Sequence, residues 1–180
     1  ISFPVEMTTW PPNRFQLADG FSGATPLGVL KEGIKNGEPM SQIMAELPTT
    51  LDYFVGNMPG CIGEVSALAI LVGGIYMLMR KIITWHAPVA IFGTVFIFGG
   101  ILHYINPETF INPTIHLLTG GIFIGAIYMA TDMVTSPMTG KGMLIFGVGI
   151  GIITLVIRNW GAYPEGISFA ILIMNATVPI

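Results

Sequence analysis

The sequence predicts an all-α integral membrane fold, a polytopic helix bundle of about five transmembrane helices preceded by an irregular segment outside the lipid. Three observations predict it. Only 9% of the 180 residues are charged and the mean hydropathy is +0.74, where a soluble domain carries about 25% charged residues. Five apolar runs follow one another at residues 62–79, 87–105, 112–131, 142–157 and 166–180, each near the ~20 residues a spanning helix needs. No ten-residue alternation of the kind that marks a membrane barrel is present, so backbone groups in lipid must be satisfied within helices.

The runs are bounded by polar residues. The first ends at Arg80-Lys81, the second before Asn106-Pro107-Glu108, the third at Asp132 and Pro137, and the fourth at Arg158-Asn159. The fourth is short, but Trp160 and Tyr163 extend it into the interface. Glycines recur within the runs as Gly73-Gly74, Gly99-Gly100, Gly120-Gly121 and Gly147, Gly149, Gly151. Small residues let helix backbones approach closely, and close packing is their expected role, with a lining for an ion or cofactor path as the other.

Residues 1–60 read as a water-facing segment and 61–180 as the five-helix bundle. Charges are scattered through the first part, at Arg14, Asp19, Lys31, Glu32, Lys35, Glu38, Glu46 and Asp52. Trp10-Pro11-Pro12 breaks any helix, and short helices are expected near 26–35 and 40–46. Five crossings put Arg80, Lys81 and Lys141 on one side of the membrane. Arg158 then stands on the other side with the N-terminal segment. The excess of Lys and Arg marks the cytoplasmic side, which leaves residue 25 on the outer face.

The formal net charge of −3 and the lack of a basic tract exclude nucleic acid as a partner. A lone cysteine, Cys61, makes no internal disulfide and by itself holds no cluster or structural zinc. No phosphate-binding loop, dinucleotide fingerprint or haem attachment run occurs. No nucleophile–base pair stands out either, so no catalytic residue or metal site is assigned. Any redox chemistry would belong to a cofactor that the chain positions.

One polar stretch of small residues lies outside the apolar runs, Asp19-Gly20-Phe21-Ser22-Gly23-Ala24-Thr25-Pro26-Leu27. On local grammar, Thr25-Pro26 is a helix start, with Thr as N-cap and Pro in the first turn. Gly23 and Ala24 also leave the Thr25 hydroxyl approachable by a bulky group. Ser22-Gly23-Ala24-Thr25 resembles the S(T)GAT motif of the NqrB/RnfD family of membrane redox subunits. The likeness continues through Gly56-Asn57-Met58-Pro59-Gly60, Ile62-Gly63-Glu64, Ala130-Thr131-Asp132, Thr135-Ser136-Pro137, Ala162-Tyr163-Pro164-Glu165-Gly166 and Asn175-Ala176. Asp132 is followed by Met133 and not by Pro, which is closer to the RnfD branch, that of the Rnf ion-translocating oxidoreductase complex.

The resemblance implies the C-terminal half of a longer subunit, as do the start at Ile1 and the apolar end at Ile180. It implies FMN joined to Thr25 by a phosphoester, with Ser22, Gly23 and Ala24 around the attachment, on the outer face of the cell membrane. A flavin transferase would make the link, and other membrane and flavin subunits would be partners. The complex would couple ferredoxin:NAD⁺ oxidoreduction to Na⁺ or H⁺ translocation; the other branch implies an NADH:quinone reductase.

The residues supply candidates around such a group. Lys31, Lys35 or Arg14 could neutralise its phosphate, and Phe21, Tyr53 and Phe54 could wall its ring. Glu64 and Asp132, ionisable groups at the ends of apolar runs, are candidate ion-path residues. Glu64 could equally favour a helix N-terminus. His103 and His116 flank one loop and are expected as satisfied interfacial side chains, not haem ligands. His86 beside Trp85 reads as an interface anchor. The contrasting reading is a non-redox transporter or channel in which Thr25 is only a helix cap.

Overall fold

The computed structural model describes residues 25–36, 43, 49–56, 65–107 and 109–178. Ser22, Gly23, Ala24, Cys61 and Glu64 lie outside the described residues, as do Arg14, Phe21, the side chain of Lys35 and the helix expected near 40–46. Among the described residues every regular element is helical.

Helix α1, Pro26–Asn36, starts where Thr25-Pro26 predicts. The Gly28 N–H donates to Thr25 Oγ1 at 3.3 Å, and the Val29 N–H to the Thr25 carbonyl at 3.0 Å. These bonds satisfy amides that the first turn otherwise leaves open. Leu27 and Leu30 are buried with Ile43, Ile111 and Ile115. Helix α2, Thr50–Val55, carries a reciprocal cap: the Asp52 N–H donates to Thr49 Oγ1 and the Thr49 N–H to the Asp52 carboxylate.

Helix α3, Ala67–Met79, opens with Ser66 as cap. Helix α4, His86–Ile105, and helix α7, Gly140–Trp160, are long and apolar enough to cross a membrane, at 20 and 21 residues. Helix α3 and the last helix, α8 (Ile167–Thr177), have 13 and 11 residues. At about 1.5 Å per residue they fall short of a hydrocarbon core about 30 Å thick. The described helices therefore give two spans by length, not the five expected.

The expected single helix over 112–131 is broken into pieces. Helix α5, Pro113–Leu118, begins under an Asn112 cap and stops at Thr119, whose backbone is extended. Gly120 follows with φ of +68°. Helix α6, Ile122–Ile124, runs straight into a π-helical turn, Gly125–Met129. The break is set by tertiary contact at one backbone position. A Cβ at Gly120 would lie 2.8 Å from Leu27 Cδ1, 2.8 Å from Glu165 Oε1 and 2.9 Å from Arg158 Nη2, so only glycine fits there, in a conformation that glycine adopts without strain. Average hydropathy is blind to such a break.

Helices α4 and α7 form the centre. A Cβ at Gly147 would meet Ala90 Cβ at 2.6 Å and the Ala87 carbonyl at 2.8 Å; one at Gly151 would meet Thr94 Cβ at 2.7 Å. These glycines, one helical turn apart, let the two backbones touch. Ile91, Val95, Ile122, Ile150, Leu155 and Ile167 close the core around that seam. The turns carrying Arg80, Lys81 and Asp132 meet at one end, where Thr84 Oγ1 donates to Met143 Sδ. Helix α1, the 106–112 loop and the turn after Trp160 share the other end.

Candidate functional site

The α1 end of the bundle holds two cations bonded to backbone carbonyls. The Lys31 ammonium, one turn beyond Leu27, donates to the carbonyls of Gly161 at 2.5 Å and Tyr163 at 2.6 Å, just past the end of α7. Cations are favoured at helix C-termini, where carbonyls are left over. The pair of bonds straps α1 to the bundle. Partial burial lowers the Lys31 pKa from its usual value.

Arg158 repeats the arrangement within the bundle. It sits in the last turn of α7 at 6% exposure. Its Nη1 donates to the His116 carbonyl at 2.6 Å and its Nη2 to the Thr119 carbonyl at 3.0 Å. Those carbonyls belong to the C-terminal end of α5, where the third apolar segment breaks. Arg158 is thus the cap of an interrupted helix, not the outer-loop charge expected from the charge count. The expectation failed because residue 158 lies within α7, with its head turned into the protein.

A cavity of about 260 Å³ lies between α1 and this end of the bundle. Leu27, Lys31 and Ile34 line it from α1, and His116 and Arg158 from the bundle. Phe110 and Trp160 supply an aromatic wall, with ring centroids 5.8 Å apart and planes at 59°. The Phe110 carbonyl meets His103 Nδ1 at 2.7 Å, which fixes that loop. His116 is a core residue at 2% exposure, and its Nδ1 has no hydrogen-bond partner among the described residues. The interfacial, satisfied histidine expected here is therefore corrected. Helix α5 packs against α4 at Gly99, and that contact draws His116 inward.

The other expected site residues fall in different places. Thr25 is half-buried at the head of α1. Tyr53 is 2% exposed and does not line the cavity; burial pushes its phenol up to about 12. Asp132 is exposed, in a turn at the opposite end of the bundle. It accepts from Thr135 Oγ1 at 3.2 Å, and its carbonyl accepts from Ser136 Oγ at 2.6 Å. His86 stacks on Trp85 at that same end, with ring centroids 4.2 Å apart. A second cavity there, about 240 Å³, has no charged residue in its lining among the described residues. Among the described residues no group of three His, Cys, Asp or Glu side chains could hold a metal.

Arg158, Phe110 and Trp160 were not singled out as site residues from sequence. The one available signal was an arginine at the end of an apolar run, which reads the same whether its head faces water or protein.

Two helices long and apolar enough to cross a membrane, a helix broken at a glycine and capped by a buried arginine, and a cavity at one end make up a helical fold with a candidate site at the α1 end. The family comparison makes the class specific: the model of the NQR2, RnfD, RnfE family matches residues 1–180. The chain belongs to that family. It is similar to the D component of the ion-translocating oxidoreductase complex of Stutzerimonas stutzeri, 38% identical over 200 residues that cover 100% of this chain and 56% of that protein. It is also similar to the D component of the Na⁺-translocating ferredoxin:NAD⁺ oxidoreductase complex of Acetobacterium woodii, 39% identical over 181 residues, covering 97% of this chain and 52% of that protein. The proton-translocating counterpart from Clostridium ljungdahlii is 40% identical over 185 residues, covering 100% and 54%. The chain spans about half the length of these relatives.

Proposed function

We propose that this chain is part of the FMN-carrying membrane subunit of an electron-transfer complex that couples ferredoxin:NAD⁺ oxidoreduction to Na⁺ or H⁺ translocation. In this reading Thr25 Oγ1 is esterified to the FMN phosphate by a flavin transferase, on the outer face of the cell membrane. Relatives named for ferredoxin:NAD⁺ oxidoreduction support the activity.

The observation that carries the attachment is the position of Thr25. It follows Ser22-Gly23-Ala24 directly and heads an 11-residue helix with its side chain half-exposed. The residues fit a phosphate there. The ester keeps one negative charge, and open amides at a helix N-terminus favour an anion. Pro26 contributes no N–H and the Gly28 N–H is taken by Thr25 Oγ1, so the first-turn amide left open among the described residues is that of Leu27. Lys31 lies on the same helix and adds positive charge. FMN, when bound, would supply reversible electron uptake; the chain's own residues hold its phosphate and fix the helix that bears it.

Topology in this reading rests on the charged residues. Arg80, Lys81 and Lys141 mark the cytoplasmic end, and α1 belongs to the opposite end. Glu64 and Asp132 stay candidates for the ion path. The spans beyond α4 and α7 belong to this proposal as well, three shorter or interrupted segments making up a five-crossing bundle.

The Gly28–Thr25 bond is also what a plain helix cap would make, so the transporter reading is separated by experiment. The full-length subunit is produced with the flavin transferase and run on a denaturing gel under ultraviolet light. A fluorescent band that disappears in Thr25→Val is the expected result. A dark wild-type band would remove the redox reading.

A further inference from the structure

The cavity beside α1 has three properties that together select a ligand. Among the described residues its lining includes two cationic side chains, Lys31 and Arg158, and no acidic one. Its wall carries Phe110 and Trp160, whose rings can take a flat partner. Its volume, about 260 Å³, sits just below the range of small-molecule pockets, enough for a fused ring system but not for a whole nucleotide. Buried His116 and half-buried Asn159 add polar edges. Among the described residues Glu165 does not line the cavity, but its Oε1 stands beside the Arg158 guanidinium, both within 3 Å of the point a Gly120 Cβ would occupy.

The cavity also adjoins the helix that Thr25 heads. Leu27, Lys31 and Ile34 recur at the spacing of one helical face and form its α1 wall. Thr25 precedes Leu27 by two positions, about 3 Å along the helix axis and about 200° round it, so the tether passes round the head of α1. A sugar-alcohol phosphate arm is longer than that.

We propose that this cavity seats the ring of the flavin tethered at Thr25, and that Arg158, with Lys31, sets its potential by favouring the reduced ring. The proposal rests on the FMN reading of Thr25 and adds the place and the charge. The oxidised ring is neutral. On taking two electrons and one proton from a chemical reductant it becomes a ring with one negative charge. A fixed guanidinium beside the ring stabilises that product over the neutral form, since the positive head attracts the negative ring. Arg158 is suited to this because its head is held by the carbonyls of His116 and Thr119 and cannot swing into solvent. It acts as a positioning and tuning residue; no bond is made or broken at it.

The test is a reductive titration of the full-length subunit, matured with the flavin transferase, followed by flavin absorbance. Arg158→Gln should lower the equilibrium constant for reduction at least tenfold, which for a two-electron couple is a potential about 30 mV more negative. Lys31→Gln should move it the same way, and Arg158→Lys should restore most of the shift. Trp160→Leu should raise flavin emission several-fold, because a stacked indole quenches it. If Arg158→Gln does not accumulate, Lys31→Gln and Trp160→Leu carry the test. A linked flavin whose potential and emission are unmoved in these variants overturns the proposal while leaving Thr25 as the attachment site. A wild type without linked flavin overturns both, and the denaturing gel tells the two failures apart.

Discussion

Arg158 and His116 are joined across the break in the third apolar segment: Arg158 Nη1 donates to the His116 carbonyl at 2.6 Å, while both side chains are almost fully buried. This relationship orders the end of the bundle. Half-helix C-termini in membrane proteins commonly meet a cation at their free carbonyls. Here the cation is covalently part of the chain. It holds α5 against α7 and walls the cavity next to α1.

Replacing Arg158 by Met should therefore cost stability, because the carbonyls of His116 and Thr119 lose a donor inside the protein. Leaving buried acceptors unmet costs about 1–3 kcal/mol. The thermal transition of the detergent-solubilised subunit should fall, and Arg158→Lys should recover part of the loss. A transition unchanged in Arg158→Met would show that water reaches those carbonyls.

Gly120→Ala should destabilise by more than an ordinary surface change. Its φ of +68° disfavours any side chain, and a Cβ would crowd Arg158 Nη2, Leu27 and Glu165. Left-handed backbone alone costs about 1–2 kcal/mol for alanine. Thermal melting measures it. An equally stable variant would mean that the 119–121 segment relaxes freely into helix.

The seam between α4 and α7 gives a sharper contrast. Gly151→Val would press on Thr94, and Gly147→Val on Ala90, with about 1–3 kcal/mol of overpacking expected at each. Gly93, where a Cβ would meet nothing within 4 Å, should accept Ala with little change. Detergent-stability assays of the three variants should separate the first two from the third.

Much of this was readable from residues. The runs at 87–105 and 142–157 became α4 and α7 nearly as bounded, because an apolar run of spanning length satisfies its backbone within a helix. Thr25-Pro26 became a helix start because cap and proline act within one turn. Three things were not readable. The break at Gly120 depends on Leu27, Glu165 and Arg158, residues distant in sequence that converge on one backbone position. The burial of Arg158 depends on which way the last turn of α7 faces. The wall formed by Phe110 and Trp160 depends on a loop folding back onto a helix end. Each is decided by tertiary contact, which hydropathy does not encode.

Tyr53 predicts a pH dependence. Its phenol has a usual pKa of 10, pushed to about 12 by burial. Below pH 10 both folded and unfolded chains hold the proton and stability is unaffected. Between 10 and 12 the unfolded chain releases it first, so stability falls with rising pH, by up to about 1.4 kcal/mol per unit. Tyr53→Phe should remove that slope. At neutral pH it should be neutral or mildly stabilising, because the hydroxyl is buried without a hydrogen-bond partner among the described residues. Alkaline melting curves of the two proteins check both points.

The account turns on the hydroxyl of Thr25, and intact-mass measurement of the purified full-length subunit, matured with its flavin transferase, addresses it most directly. The account predicts the polypeptide mass plus one FMN less one water, with the added mass gone in Thr25→Val. A wild-type mass equal to the bare polypeptide, or an FMN adduct that persists in Thr25→Val, would contradict it.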